Sequence, residues 1–437
     1  MANTVQLAEV IDNRKLTPFQ MGLFALCALV LFFDGFDVQA IGFVAPAIIK
    51  DWSLPPGELG PVFSAGLFGL MLGALLIAPL ADKVGRKPII LVSAALFGVF
   101  TLATAWADSV ASLLALRFLT GLGLGGCMPN AIALTSEYAP ARQRAFLITM
   151  MFNGFSLGSL VGGVLAGQFI PTYGWRAVFI VGGALPLLAL PLFLFALPES
   201  ARFLALAGKA PDKVAKILRK LDPRLPADVA LAPEAVSGGR MSVAELFRHG
   251  QAPRTLLLWL VFFCSLLVIY MMVNWLPTLM TSVGASIRQA VTLGIWMQVG
   301  GIVGSLVLGW IIDRKGPSTA LIPAYLGAAA CVAGVAYLAG GGLGVLALVV
   351  FGVGFGVIGG QTGANAVAAT VYPTHVRSTG VGWALGIGRI GSIVGPAVGG
   401  VLISLQAPVK SILLLTSIPA MIAALAVIAL GLLPKKA

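Results

Sequence analysis

Charge is scarce in this chain of 437 residues: Asp, Glu, Lys and Arg together make up 10%, against roughly a quarter in a soluble domain. Hydrophobic residues make up 59%, and the mean hydropathy is +0.99. So little charge excludes a soluble globular chain and places most of the mass in lipid. Histidine is nearly absent. His249 and His375 both fall in polar segments; His249 reads as surface, and His375 as surface or support of a gate, with a proton relay as the other reading. The four cysteines, Cys27, Cys127, Cys264 and Cys331, lie in apolar runs without CxxC spacing. They read as small buried hydrophobes, not as metal ligands or disulfide partners. The sequence holds no metal-ligand cluster, phosphate loop or nucleophile–base set, so neither an enzyme nor a cofactor is expected. The net charge of +12 does not call for nucleic acid, because Lys and Arg gather in the loops of one side, as topogenic charge does. The chain is polar up to Gln20 and its first apolar run is long enough to span, so no cleavable signal peptide is expected.

What the chain has in abundance is glycine, 54 residues, and long apolar runs. Glycine suits helices that pack closely in a bilayer. Twelve runs are long enough to span as helices, six between residues 20 and 197 and six between 253 and 432. The expected fold is an all-α membrane protein of twelve transmembrane helices in two six-helix bundles, residues 1–197 and 253–437. Residues 198–252 form a central loop carrying "DKVAKILRK", a short basic amphipathic helix, followed by a Pro/Ala/Gly-rich linker. Arg14 and Lys15, "DKVGRK", "PARQR", the central loop, "DRKG", "HVR" and Lys435–Lys436 lie on one side. Only Lys50, Arg176, Arg288 and Lys410 lie on the other. The basic side is expected to be cytoplasmic and to hold both termini.

The halves repeat. "GSLVGGVLAG" (158–167) aligns with "GSIVGPAVGG" (391–400) at an offset of 233. "EYAPARQR" resembles "VYPTHVRS" and "LADKVGRKP" resembles "IIDRKGPS" at nearly the same offset. Such a repeat implies two parallel bundles related by a pseudo-twofold axis along the membrane normal.

Within the apolar runs the ionisable residues are few: Asp34 and Asp37 in "LFFDGFDVQAI", Arg117 in span four, Arg389 in span eleven, and Glu137 at the end of span four. A charge at the bilayer centre costs at least ~2.5–3.5 kcal/mol, so such residues face a bundle interior and mark a pathway. Asp34 and Asp37 are three apart and share a helix face. Two carboxylates that close do not both ionise readily in a low dielectric, which suits a proton carrier; a structural pair tied to an arginine is the other reading. Arg117 and Arg389 suit a carboxylate ligand. Arg117 can instead partner the aspartates, or serve both in turn, and Arg389 can be a structural pair. Arg389 aligns with Ser156, and the counterpart of "DGFD" in span seven is "LLVIY", so the charges break the repeat. Asn130, Tyr270, Asn274, Trp275, Trp296, Gln298, Gln361, Asn365 and Trp383 are each packing or interhelical glue taken singly. Together they suggest an aromatic-lined pocket with hydrogen-bond donors. Trp52 and Trp175 read as anchors at the interface. Glu137 is expected to pair with Arg142 or Arg144, or to gate.

"LADKVGRKP", with Asp82, Gly85, Arg86, Lys87 and Pro88, resembles the loop motif of the major facilitator superfamily of secondary transporters, departing from it at Ala78. "LRFLTGLGLGG" carries the similar fourth-span Arg117 and Gly121. The resemblance spans essentially the whole chain. It implies alternating access with a gate on the cytoplasmic side. There Asp82 would sit against the start of helix eleven, and Arg86, Glu137 and Arg142, with Asp313 and Arg314 of the second half, would join or release the bundles. "DGFD", "RFLTGLGLGGCMPNA", "SEYAP", "LPESARFL", "NWLPTLM" and "GIGRIGSIVGP" further resemble the aromatic acid:proton symporters. That resemblance implies import of an aromatic carboxylate such as benzoate, hydroxybenzoate, protocatechuate or gentisate with protons, across a bacterial inner membrane, by a monomer. In it Asp34 and Asp37 couple protons. The family's fourth-span and eleventh-span arginines map onto Arg117 and Arg389 and its "EY" acid onto Glu137; with Asn274, Trp275, Gln298, Gln361, Asn365 and Trp383 from the polar and aromatic set above, the two arginines are expected to line the substrate site. Another organic acid, such as muconate or a sugar acid, is the alternative cargo, and drug efflux fits two deep arginines poorly.

Overall fold

The computed structural model describes residues 4–5, 7–12, 16–206, 211–225, 230–231, 243–248, 251–372 and 377–433. Among these, twelve helices are long and apolar enough to cross a membrane. They are α1 (Pro18–Trp52), α2 (Gly60–Leu76, the core of a span that runs over Pro56–Val84), α3 (Arg86–Thr104), α4 (Val110–Tyr138), α5 (Arg144–Tyr173) and α6 (Arg176–Ala196). The second six are α7 (Ala252–Ser282), α8 (Ile287–Lys315), α9 (Pro317–Leu338), α10 (Leu343–Val371), α11 (Arg377–Ser404) and α12 (Val409–Leu432). Successive spans alternate in direction. The start of α1 and the end of α12 therefore share one face of the molecule, here the terminal face; the opposite one is the distal face.

Local chemistry sets the helix ends. The Thr17 hydroxyl accepts from the Gln20 N–H at 3.3 Å, and the Gln20 side chain accepts from the Thr17 N–H at 2.8 Å. This reciprocal cap satisfies two donors that no helical carbonyl can reach. Ser109 and Ser286 open α4 and α8 in the same way. α1 is 35 residues long and outruns the apolar stretch 20–49. The second span departs most from a simple helix: short 3₁₀ turns, Pro56–Leu59 and Ala78–Leu80, flank α2. Gly85, at φ 105°, turns the chain into α3, and a Cβ there would also strike the Glu199 carboxylate.

The two halves pack alike. α1 lies on α5, α2 on α4, α3 on α4 and on α6; correspondingly α7 lies on α11, α8 on α10, α9 on α10 and on α12. The sequence repeat is realised atom by atom. A Cβ at Gly158 would overlap the Phe32 carbonyl, and one at Gly391 would overlap the Phe263 carbonyl. Gly69 meets Phe118 and Gly73 meets Leu122, just as Gly300 meets Phe351 and Gly304 meets Phe355. Without a hydrophobic force between helices in lipid, such close backbone approach supplies the packing. α1 against α7, α2 against α11 and α5 against α8 join the halves.

The amphipathic helix of the central segment is present as Pro211–Leu221, with Val214, Leu218 and Leu221 buried. Most of the linker after it, with His249, lies outside the described residues, as does His375. Trp175 is not an interfacial anchor. It is 3% exposed, its indole N–H donates to Asp51 at 3.0 Å, and its ring meets Trp52 edge-on at 5.6 Å. Arg176 completes this distal cap, paired with Asp51 at 3.0 Å.

Candidate functional site

The deep charges meet where α1 passes α3, α4, α7 and α11. Gly121 and Gly125 of α4 ride on the backbone of α2 at Gly66 and Leu70, and this close crossing places Arg117 beside α1. There Arg117 grips Asp37 with both terminal nitrogens, at 3.0 Å and 2.5 Å. Thr101 of α3 donates to the same carboxylate at 2.6 Å. Both partners are buried, and the guanidinium also lies over the Phe179 ring at 5.7 Å. Bidentate geometry with a third donor is what a buried ion pair requires if attraction is to offset desolvation.

Asp34 differs. It is 1% exposed, yet neither carboxylate oxygen has a hydrogen-bond partner among the described residues. Of the two aspartates that Arg117 could partner, it takes Asp37 alone among the described residues. Residues three apart on a helix sit about 60° apart around it, enough to send the two side chains to different neighbours. The charged groups whose fields reach Asp34 are Arg389 of α11 and Asp37, and the Asp34 charge in turn acts on the Cys127 thiol of α4.

Arg389 is half-buried at the seam between the halves. It donates to the Tyr270 hydroxyl of α7 at 3.3 Å and approaches the Met128 sulfur of α4 at 3.7 Å. Neither partner is charged, and among the described residues Arg389 has no ion pair. Tyr270 stands at the offset of 233 from Asp37, so a phenol occupies in the second half the place that a carboxylate occupies in the first.

Asn274 joins this cluster from α7. With Arg117, Val38, Phe63 and Gly121 it lines a cavity of about 20 Å³, room for about one water. Gln298 of α8 donates to Gln39 of α1 at 2.9 Å, a buried amide bond across the seam. Gln39 was missed by the sequence reading, although it too is a polar residue in an apolar run. Gln361 and Asn365 bond each other at 3.1 Å and join none of the charges. Asn130 bonds the Ala78 and Gly126 carbonyls, acting as glue.

Three tryptophans fall outside the expected pocket. Trp275 is fully buried, donates to the Pro396 carbonyl at 2.9 Å and meets Phe63 edge-on at 4.9 Å. It belongs to the closed seam on the distal side. Trp383 is 43% exposed and stacks on Trp259. It precedes Arg389 by six residues, about 9 Å along the axis and on another face. Trp296 is equally exposed and packs on Phe351. An apolar run shows that an aromatic is buried or lipid-facing but not which neighbour it meets.

From these residues to the distal face the halves stay in close contact. Ser64 donates to the Ile393 carbonyl at 3.0 Å. A Cβ on Gly60 would come within 2.9 Å of the Gly400 Cα, and Gly57 abuts Ser404.

At the terminal face a second polar cluster forms. Glu137 pairs with Arg86 at 2.8 Å and accepts from Ser200 at 2.5 Å, in place of the expected bond to Arg142 or Arg144. Arg142 is exposed, and Arg144 reaches the Ala139 carbonyl at 3.4 Å. Glu199 accepts the backbone N–H groups of Arg86 and Lys87, and its carbonyl takes the Tyr138 hydroxyl. The cluster thus ties α3, α4 and the chain after α6 within the first half, with no partner from the second half among the described residues. Asp82 is exposed and has no bonded partner among the described residues; residues 373–376, just before α11, lie outside them. Asp313 and Arg314 are exposed, and Arg314 lies over Trp310 at 4.4 Å.

Comparison with known proteins agrees with this architecture. A sequence profile of the Major Facilitator Superfamily matches residues 27–387. A gallate transporter of Pseudomonas putida is 42% identical over 98% of this chain and 95% of its own length. The 4-hydroxybenzoate transporter PcaK of Pseudomonas aeruginosa is 42% identical over 97% of this chain and 95% of its own. Among solved structures, the partially occluded inward-open xylose transporter XylE from E. coli superposes with a TM-score of 0.74 at 17% identity, covering 95% of this chain and 98% of that one. A bacterial homologue of the human lysosomal transporter Spinster gives the same TM-score at 18% identity with the same coverage. With relatives of this kind the chain is a multi-pass membrane protein and not an enzyme: it belongs to the Major Facilitator Superfamily.

Proposed function

We propose that this chain is a proton-coupled symporter that imports an aromatic carboxylate by alternating access across the bacterial inner membrane. The observation that carries the reading is Arg389, a half-buried guanidinium at the seam whose bonded partners among the described residues are a phenol and a thioether. Such a cation in a low dielectric calls for an anion, and its fork matches a carboxylate. Relatives named for gallate and 4-hydroxybenzoate favour an aromatic acid. Arg117, committed to Asp37, is not open to a ligand in this conformation.

The moving units are the bundles of residues 1–197 and 253–437, joined by 198–252 and acting as a monomer. Lys and Arg bias supports a cytoplasmic assignment of the terminal face and of both termini. The contacts from Gln39–Gln298 outward to Gly60–Gly400 then close the periplasmic side. The water-sized cavity at Arg117 is too small for a benzene ring, so substrate entry requires this seam to part.

A thermal-shift screen of the purified protein against gallate, 4-hydroxybenzoate, benzoate, muconate and gluconate tests the substrate class. Stabilisation by the aromatic acids alone is expected. Stabilisation by the aliphatic acids alone would transfer the reading to another organic acid.

A further inference from the structure

We infer that the two aspartates divide the work: Asp34 is the acid that takes up and gives up the transported proton, and Asp37 is the salt-bridged counter-ion that positions Arg117. The inference rests on the symport reading above. It starts from an asymmetry that the spacing of the two residues does not contain. Asp37 accepts three side-chain hydrogen bonds, two of them from a guanidinium. Each favours the ionised form, and protonating Asp37 would cost at least one of them. Asp34 is as deeply buried, with both oxygens unpartnered. A bare carboxylate there would cost far more than a neutral acid, so the group carries a proton in this conformation.

The groups that face Asp34 explain how its proton can be coupled to an anion. α11 carries Arg389, whose field reaches Asp34, its own helix carries Asp37, and α4 carries the uncharged Cys127 thiol beside the Met128 that Arg389 approaches. When Arg389 holds a substrate carboxylate, an ionised Asp34 would repel that anion and compete with it for the cation, whereas a protonated Asp34 does neither. When the substrate leaves, a rearrangement that brings Arg389 to bond Asp34, a bond absent from this conformation, would stabilise the ionised acid and release the proton. Arg389 is thus shared between two carboxylates, and only one of them is charged at a time. Asp37 stays outside the exchange because Arg117 is its own cation. Asp34 is here a coupling residue and Arg389 the substrate contact.

The test uses the full-length protein, with 4-hydroxybenzoate as the probe. Wild-type affinity is expected to fall by up to about tenfold per pH unit over the range in which Asp34 must gain a proton to admit the anion. Asp34→Asn should bind with an affinity flat in pH and fail to accumulate the acid in proteoliposomes. Asp34→Glu should restore the slope, and Asp37→Asn should keep it. A slope retained in Asp34→Asn and lost in Asp37→Asn would overturn the division. A second arm needs no substrate: the infrared carbonyl stretch of a buried protonated carboxylic acid should be present in the wild type, absent in Asp34→Asn and present in Asp37→Asn. A band that survives in Asp34→Asn, or is missing from the wild type, would also overturn it. If the wild type binds no aromatic acid, the symport reading fails while the infrared arm still decides the assignment.

Discussion

Asp34 and Asp37 stand one turn apart on α1, and among the described residues Asp37 accepts three side-chain hydrogen bonds while Asp34 accepts none. A helix that exposes both residues on one side nevertheless sends one to a full set of donors and leaves the other bare. The consequences for stability, binding and gating can be tested separately.

Removing the Asp37 charge leaves Arg117 buried and unpaired. Asp37→Asn should destabilise the protein by about 3–5 kcal/mol, the cost of breaking a buried pair from one side. The drop in Tm measured in detergent reads it. Combining Asp37→Asn with Arg117→Gln should cost less than the two single changes added together, because neither charge is then stranded.

Arg389→Ala should weaken binding of 4-hydroxybenzoate by about 2–5 kcal/mol, the range for truncating one partner of a buried charge pair. That is about thirtyfold or more. Binding of the uncharged methyl ester should change far less. Titration calorimetry with both ligands checks this, and equal losses would remove the carboxylate contact.

The fold and the identity of the deep charges are legible in the sequence because both rest on scarcity. Apolar runs mark the spans, and a charge within one is conspicuous. Partner choice is not legible in the same way. Whether Arg117 meets Asp34 or Asp37 depends on how far α4 is rotated and how closely Gly121 lets it approach α2. Thr101, which completes the Asp37 site, is an unremarkable polar residue of α3. Glu199 lies within the quoted "LPESARFL" but shows its role only when the turn at Gly85 brings Arg86 and Lys87 over its carboxylate. Trp275 and Trp383 look alike as tryptophans in apolar runs, yet one closes the seam and the other is half-exposed.

Bulk at the Gly60–Gly400 crossing should pry the distal seam apart. Gly400→Leu is expected to raise modification of a cysteine placed at Ser64, in a background lacking the four native cysteines, by an impermeant maleimide added outside. Labelling no faster than in the Gly400 parent would mean that this crossing does not hold the seam shut.

The first N–H groups of α3 have no helical acceptor, and Glu199 supplies one for Arg86 and Lys87. Glu199→Ala should therefore cost about 0.5–2 kcal/mol, the range for loss of a helix cap. It should be visible as a lower Tm, with little change in affinity for the acid.

The central claim is coupling of an aromatic anion to protons, and the most direct measurement is radiolabelled 4-hydroxybenzoate uptake into proteoliposomes, with protein-free liposomes as the baseline. Under an inward proton gradient, uptake is predicted to rise above that baseline and above the external concentration, and to collapse when a protonophore dissipates the gradient. Accumulation that survives the protonophore, or export of preloaded acid against the same gradient, would contradict the account.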